Sequence, residues 1–207
     1  EKEPYADTML CPNSKKAILR SCGAGIAAAN DLMNKNERVF CATRPPGHHA
    51  ETIKAMGFCF VNNIAVTARY LQNKYKVNKV AIIDFDVHHG NGTQEIFYND
   101  ETVSYASSHE FPLFPGTGSI QETGVGNIFN APLKTGLGSE EFFKIFDQKI
   151  LRPIDKFKPE VILISAGFDA HSRDPLANIN LESEDYYRIT KKIIDLANIH
   201  SEGRVIS

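Results

Sequence analysis

The stretch Val80-Ala81-Ile82-Ile83 is a continuous apolar run, and a second run of the same kind, Val161-Ile162-Leu163-Ile164, follows later in the chain. Strands that are covered on both faces have continuous runs of this kind, whereas strands with one face in water alternate apolar and polar residues. The two runs therefore predict strands in the interior of a parallel sheet that has helices on both sides.

Outward from these runs, short β-branched segments alternate with longer segments of helical periodicity. The predicted strands cover residues 38–43, 79–84, 102–107, 127–131, 161–166 and 204–207. The predicted helices cover residues 14–34, 62–74, 93–98, 140–157 and 184–199, with Ser139 and Ser183 as N-caps because each precedes acidic residues. This alternation predicts an α/β fold, and the Gly- and Pro-rich residues 111–126 are expected to form a long functional loop.

The composition is that of an ordinary soluble domain, with 23% charged residues, 42% hydrophobic residues and a formal net charge of −2. Lys and Arg are spread along the chain, and no apolar run approaches the ~20 residues that span a bilayer. We therefore expect no direct nucleic-acid partner, no membrane partner and a cytoplasmic location. The chain starts without a methionine and its last residues have the pattern of a strand cut short, so residues 1–207 are interpreted as a single domain truncated at both ends.

A cluster of charged side chains follows the first apolar run. Side chains alternate along a strand, so Asp84, Asp86 and His88 are expected to project from one face where the strand leaves the sheet. Two carboxylates and an imidazole that converge there need a cation or protons to balance their charge. A metal site is the simplest explanation, and an acidic turn with solvated histidines is the alternative.

The second apolar run leads to another carboxylate, Asp169. Asp86, His88 and Asp169 would offer one nitrogen and two oxygen donors and leave a position open for water, as in catalytic zinc sites. Fe²⁺ and Mn²⁺ accept the same donors, so the metal is less well determined than the site.

Two adjacent histidines, His48 and His49, lie in a Pro- and Gly-rich loop after the predicted strand 38–43. Histidine titrates near neutral pH, which suits it to transfer protons to and from water. The alternative is that one of them is a loop histidine packed on its neighbours.

Five segments taken together resemble the histone deacetylase family, which includes bacterial histone-deacetylase-like and acetylpolyamine amidohydrolases. They are Arg44-Pro-Pro-Gly-His-His-Ala50, Gly57-Phe-Cys-Phe-Val-Asn-Asn63, Ile83-Asp-Phe-Asp-Val-His-His-Gly-Asn-Gly-Thr93, Phe114-Pro-Gly-Thr-Gly118 and Ser165-Ala-Gly-Phe-Asp169. The resemblance implies an arginase/deacetylase-like three-layer fold with a central, mainly parallel sheet flanked by helices.

The resemblance also implies a chemistry. Asp86, His88 and Asp169 would be zinc ligands, and the ion would polarise an amide carbonyl that a bound water attacks. His49 would be the general base and then the acid, and His48 would assist electrostatically.

Partners of the two histidines follow from the same resemblance. Asp84 matches the partner of the first histidine and, with Ser107, a monovalent-cation site that would hold a structural K⁺. Asn91 stands where many members carry an aspartate, as in class II members, and should leave His49 less basic.

Substrate contacts are implied as well. Gly57, Phe58 and Phe114 match the walls of a tunnel for the acyl-lysine stem, with plain core packing as the alternative for the two aromatic rings. Asp7 matches an acidic residue at the rim. The tyrosine that stabilises the family's transition state follows a glycine-rich loop beyond the strand that starts at Arg204, and the sequence ends before it.

These features predict a zinc-dependent amidohydrolase that removes acyl groups from acyl-lysine proteins or from small acetylated amines such as acetylpolyamines. One alternative is a ureohydrolase-like enzyme with two manganese ions, which the single Asp-x-His motif disfavours. The other is a catalytically silent module that binds acylated amines.

Overall fold

The protein is described by a computed structural model, which covers residues 8–35 and 38–207. Its strands are β1 Val80–Asp84, β2 Val103–Glu110, β3 Ile128–Leu133, β4 Val161–Ser165 and β5 Val205–Ile206. They form one sheet in the order β3-β2-β1-β4-β5, and every pair of neighbours is parallel. The two apolar runs are therefore the adjacent central strands β1 and β4, which confirms the predicted parallel α/β fold.

Helices cover both faces of the sheet and complete three layers. They are α1 Ser14–Lys35, α2 Asn63–Tyr75, α3 Asn91–Phe97, α4 Ser139–Ile145, α5 Arg152–Phe157 and α6 Ser183–His200. Ile82 packs in one buried cluster with α1 and α2, whereas its neighbour Ile83 packs in the other with α4 and α6. Alternate residues of one strand thus serve two cores, which is why the run is apolar throughout. No helix in the described ranges is both long and apolar enough to cross a membrane.

The predicted strand 38–43 is wrong. This segment runs beside β5, but only Val39 forms a β-bridge, with Ile206, and the Cys41 N–H donates to the Ser207 carbonyl over 2.6 Å. The Thr43 N–H donates within the segment, to the Cys41 carbonyl over 3.0 Å, so this end turns on itself and does not continue a ladder.

The predicted N-caps Ser139 and Ser183 are also wrong, because each is the first residue of its helix and the caps are Gly138 and Glu182. The Glu182 side chain accepts from the backbone of Asp185, whose own side chain accepts from the Glu182 N–H over 2.9 Å. Acidic side chains thus replace the expected serine. The predicted helix 140–157 is interrupted by a π-helical segment, Phe146–Leu151.

Replacing Asp185 should destabilise the fold. This buried carboxylate caps α6 and accepts from the Ser139 hydroxyl over 2.5 Å, so it joins the starts of α4 and α6. In urea unfolding we expect Asp185→Ala to lower the free energy of unfolding by about 1–2 kcal/mol. Asp195→Ala, which removes an exposed pair with Lys191, is the control and should cost less than about 0.5 kcal/mol. Equal losses in the two variants would contradict the capping role.

Candidate active site

The carboxyl ends of β1 and β4 bring the candidate metal ligands together. Asp84 pairs in register with Ser165, so the loops that follow the two strands leave the sheet side by side. The Val87 N–H donates to Asp169 Oδ1 over 2.9 Å and fastens one loop to the other. This contact explains how residues more than 80 positions apart meet at one point.

Asp86, His88 and Asp169 offer ligand atoms that all lie within 4.8 Å of one another. His88 Nδ1 is 2.8 Å from Asp169 Oδ2 and 3.2 Å from Asp86 Oδ1. A Cβ on Gly167 would lie 2.2 Å from Asp86 Oδ2, so only glycine allows the β4 loop to approach this carboxylate. One imidazole nitrogen and two carboxylate oxygens are a donor set that suits Zn²⁺.

The charge of this cluster also suits a cation. Burial lowers the pKa of His88, but hydrogen bonds with Asp169 and Asp86 outweigh burial and raise it to about 10. The two carboxylates therefore hold positive charge beside them, as a proton on His88 or as a metal ion. Within residues 8–35 and 38–207, this is the one group of three such side chains close enough to share an ion.

His48 is buried next to carboxylates. Its Nδ1 lies 3.0 Å from Asp84 Oδ2, and its Nε2 lies 3.8 Å from Asp86 Oδ2. Burial lowers the pKa of His48, but Asp84 and Asp86 outweigh burial and raise it to about 9. His48 is therefore an imidazolium in this environment.

The pKa of His49 is shifted in the opposite direction to that of His48. Its Nδ1 lies 2.9 Å from Asn91 Oδ1, and the Asn91 amide nitrogen donates to Glu51 Oε1 over 2.6 Å. Because Glu51 fixes which end of the amide faces the ring, His49 Nδ1 carries the proton and Nε2 keeps a lone pair. Burial and the neighbouring His48, with ring centroids 3.9 Å apart, lower the pKa of His49 to about 2.

The aromatic residues expected at the substrate tunnel are exposed. Phe114 is 38% exposed, and its ring meets His49 edge-on with centroids 5.1 Å apart. Phe58 is 56% exposed and has a φ of 63°. Neither ring belongs to the buried core of the described residues, and their place in a substrate tunnel stays a prediction. A Cβ on Gly57 would lie 2.3 Å from the His49 ring, so this glycine admits the imidazole.

The structure leaves two of the predicted sites untested. Asp7 lies outside the described residues. Asp84 and Ser107 are register partners on β1 and β2, and the Ser107 hydroxyl lies 2.9 Å from His109 Nδ1. The K⁺ site that they were expected to form stays a prediction.

Sequence reasoning missed Glu51 and Tyr105. Glu51 directly follows the histidine loop, but nothing in the sequence shows that it meets Asn91 forty residues away. Tyr105 could have been found by alternation, because it lies two residues before Ser107 on the same face of β2. Its hydroxyl lies 3.0 Å from Asp84 Oδ2.

Comparison with known proteins gives consistent matches. The family profile of the histone deacetylase domain matches residues 1–207. A probable deacetylase of Archaeoglobus fulgidus is 40% identical over 194 residues, which are 91% of this chain and 54% of the relative. Histone deacetylase 10, chloroplastic, of Oryza sativa subsp. japonica is 43% identical over 91% of this chain and 45% of its own length.

A bacterial relative and a crystal structure extend these matches. The histone deacetylase-like amidohydrolase of Pseudomonas aeruginosa is 35% identical over 97% of this chain and 54% of its own length. The crystal structure of the HDA15 HD domain superposes with a TM-score of 0.92 at 36% identity, over 99% of this chain and 59% of that one. The chain thus spans about half of the length of these relatives.

A second pair of histidines, His89 and His109, is buried and contacts the loop 111–126. His89 lies between Thr117 Oγ1 at 2.7 Å and Gln94 Oε1 at 3.0 Å, and His109 Nε2 donates to the Gly118 carbonyl over 2.9 Å. Burial is the main cause that lowers the pKa of His89 to about 2 and that of His109 to about 4. Both imidazoles are therefore neutral and hold the loop 111–126, which carries Phe114, against the sheet.

The buried His109 should make stability depend on pH. Its pKa is about 4 in the folded protein and about 6.5 when unfolded, so the unfolded chain binds more protons between these values. The contribution of His109 is then complete above about pH 6.5 and is lost as the pH falls toward 4. We expect the free energy of unfolding of His109→Gln to fall less steeply than that of the unmodified protein over this window. If urea unfolding showed that the free energy of unfolding falls equally steeply with pH in both proteins, His109 would not contribute to the pH dependence.

Proposed function

The chain belongs to the histone deacetylase family, and on that premise we propose that the protein containing it is a metal-dependent deacylase. It would hydrolyse the amide bond of an acyl-lysine or of a small acetylated amine. The observation that carries the proposal is the convergence of Asp86, His88 and Asp169 beside the His48–His49 pair. Residues 1–207 would be part of a single catalytic domain.

Asp86, His88 and Asp169 would hold the metal ion. A divalent ion bound there, Zn²⁺ by preference and Fe²⁺ or Mn²⁺ as alternatives, would supply Lewis-acid chemistry to an amide carbonyl and to water. A ureohydrolase-like enzyme would need ligands for two ions, and the described residues offer one such group.

His49 would move the protons. Its Nε2 keeps a lone pair because Nδ1 donates to Asn91, so Nε2 can accept a proton from the attacking water. The same nitrogen can then donate that proton to the departing amine. The low pKa of His49 keeps the ring neutral before reaction, and the partner amide orients it without adding negative charge.

His48 would act by charge. Held as an imidazolium between Asp84 and Asp86, it places a positive charge beside the position where negative charge develops on the substrate. It would stay protonated through the reaction, because its neighbouring carboxylates stabilise that form.

The substrate would approach past Phe114, whose ring lies against His49. Exposed aromatic walls formed by Phe58 and Phe114 suit an aliphatic stem such as that of lysine or a polyamine. Relatives are named a histone deacetylase and a histone deacetylase-like amidohydrolase, and neither name separates acyl-lysine proteins from small acetylated amines as the substrate of this protein. The cytoplasmic location stays a prediction.

The full-length protein should release acetate from acetylated amines and lose this activity with a chelator. Panels of acetyl-lysine peptides and acetylpolyamines, assayed with Zn²⁺, Fe²⁺ or Mn²⁺ restored, identify the substrate and the metal. Asp86→Ala should lose most of its bound metal in elemental analysis, whereas Asp195→Ala should retain it. A module that binds acetylated amines without hydrolysing them, or wild-type metal content in Asp86→Ala, would contradict the proposal.

The two histidines should differ in their effect on catalysis. His49→Ala removes the proton acceptor and should lower kcat by about 10²–10⁴-fold. His48→Ala removes only a charge and should lower kcat less. Metal content, measured in both variants, must stay intact for the comparison to hold. A larger loss in His48→Ala would mean that the base is the other histidine.

A further inference from the structure

Three side chains, Asp84, Tyr105 and His48, converge on the backbone of Gly90. A Cβ on Gly90 would lie 2.4 Å from Asp84 Oδ2, 2.5 Å from the Tyr105 hydroxyl and 3.0 Å from His48 Nδ1. No side chain larger than hydrogen fits there unless one of these groups moves. The carboxylate, the hydroxyl and the imidazole are therefore packed against the same backbone position.

Tyr105 is tied to this point through its hydroxyl. The side chain is fully buried, and its hydroxyl accepts from the Gly90 N–H over 3.1 Å and donates to Asp84 Oδ2 over 3.0 Å. Burial and the adjacent carboxylate of Asp84 raise the pKa of Tyr105 well above its ordinary value, so the hydroxyl keeps its proton. Tyr105 is thus a permanent donor to Asp84.

The carboxylate of Asp84 is held on both oxygens. Oδ1 accepts from the Asp86 N–H over 3.2 Å, and Oδ2 is shared by His48 Nδ1 and Tyr105. Without the hydroxyl, His48 would be the remaining side-chain donor on Oδ2 among these contacts, and the carboxylate could rotate with it. The position of the imidazole would then no longer be set by the sheet.

We propose that Tyr105 is a positioning residue that fixes the Asp84–His48 pair, and through it the place of the His48 imidazole in the active site. The assignment rests on the proposed function for its catalytic meaning, but the fixed geometry can be tested without turnover. It differs from a packing role, because a packing role needs the ring of Tyr105 and not its hydroxyl.

Tyr105→Phe in the full-length protein tests the proposal. NMR of protein labelled with ¹⁵N-histidine reports the Nδ1–H proton of His48, whose chemical shift depends on its bond to Asp84. We expect this resonance to move or broaden in Tyr105→Phe and kcat to fall roughly tenfold with KM within about twofold. Tyr186→Phe is the matched control, because it removes a buried hydroxyl that has no hydrogen-bond partner among residues 8–35 and 38–207, and it should leave both readouts unchanged.

An unchanged His48 resonance in a folded Tyr105→Phe protein would overturn the proposal, even if the protein were less stable. If that variant does not fold, the unmodified protein provides the test: the Tyr105 hydroxyl proton and the His48 Nδ1–H proton should give a nuclear Overhauser effect, since both approach Asp84 Oδ2. Absence of that effect, with both resonances assigned, would also overturn it. If the unmodified protein shows the effect but no deacylase activity, the proposed function fails and the geometry stands.

Discussion

Negative charge gathered at the carboxyl ends of two adjacent parallel strands is the constraint on which this structure depends. The register of β1 and β4 places Asp84, Asp86 and Asp169 close together, where burial makes an uncompensated carboxylate costly. Much of the surrounding structure supplies positive charge or hydrogen-bond donors to these oxygens. These groups include the imidazoles of His48 and His88, the hydroxyl of Tyr105 and several backbone N–H groups.

The negative charge of these carboxylates also makes the two adjacent histidines differ in protonation state. His48 faces carboxylates and is held as a cation, whereas His49 faces an amide and the cationic His48 itself. His48 therefore helps to set the protonation state of His49. Two identical side chains that are neighbours in sequence thus differ in the protonation state that their surroundings favour, because His48 faces Asp84 and His49 faces Asn91.

The central sheet and the convergence of Asp86, His88 and Asp169 could be predicted from sequence, because both depend on local patterns: continuous apolar runs, and charged residues directly after them. Segment 38–43 forms only one β-bridge, because its Thr43 N–H bonds to the Cys41 carbonyl within the segment, and its β-branched and apolar residues do not reveal this local turn. Tyr105 and Glu51 were missed because their importance comes from contacts across the sheet and between loops. The helix starts were misplaced by one residue, because serine before an acidic residue suggests a cap that Gly138 and Glu182 provide instead.

The hydrogen bonds between the two ligand-bearing loops have a consequence for how an ion would enter. Asp86 Oδ1 accepts from the His88 N–H over 2.9 Å, and Asp169 Oδ1 accepts from the Val87 N–H over 2.9 Å. One oxygen of each carboxylate is thus committed to the backbone, and the second oxygen of Asp169 faces His88 Nδ1 over 2.8 Å. The backbone contacts hold both carboxylates in place, so an ion that bound here would meet a preorganised site and little entropy would be lost in ordering the loops. A site held in this way would select an ion by its size and preferred geometry, and ion exchange would require no rearrangement of the sheet.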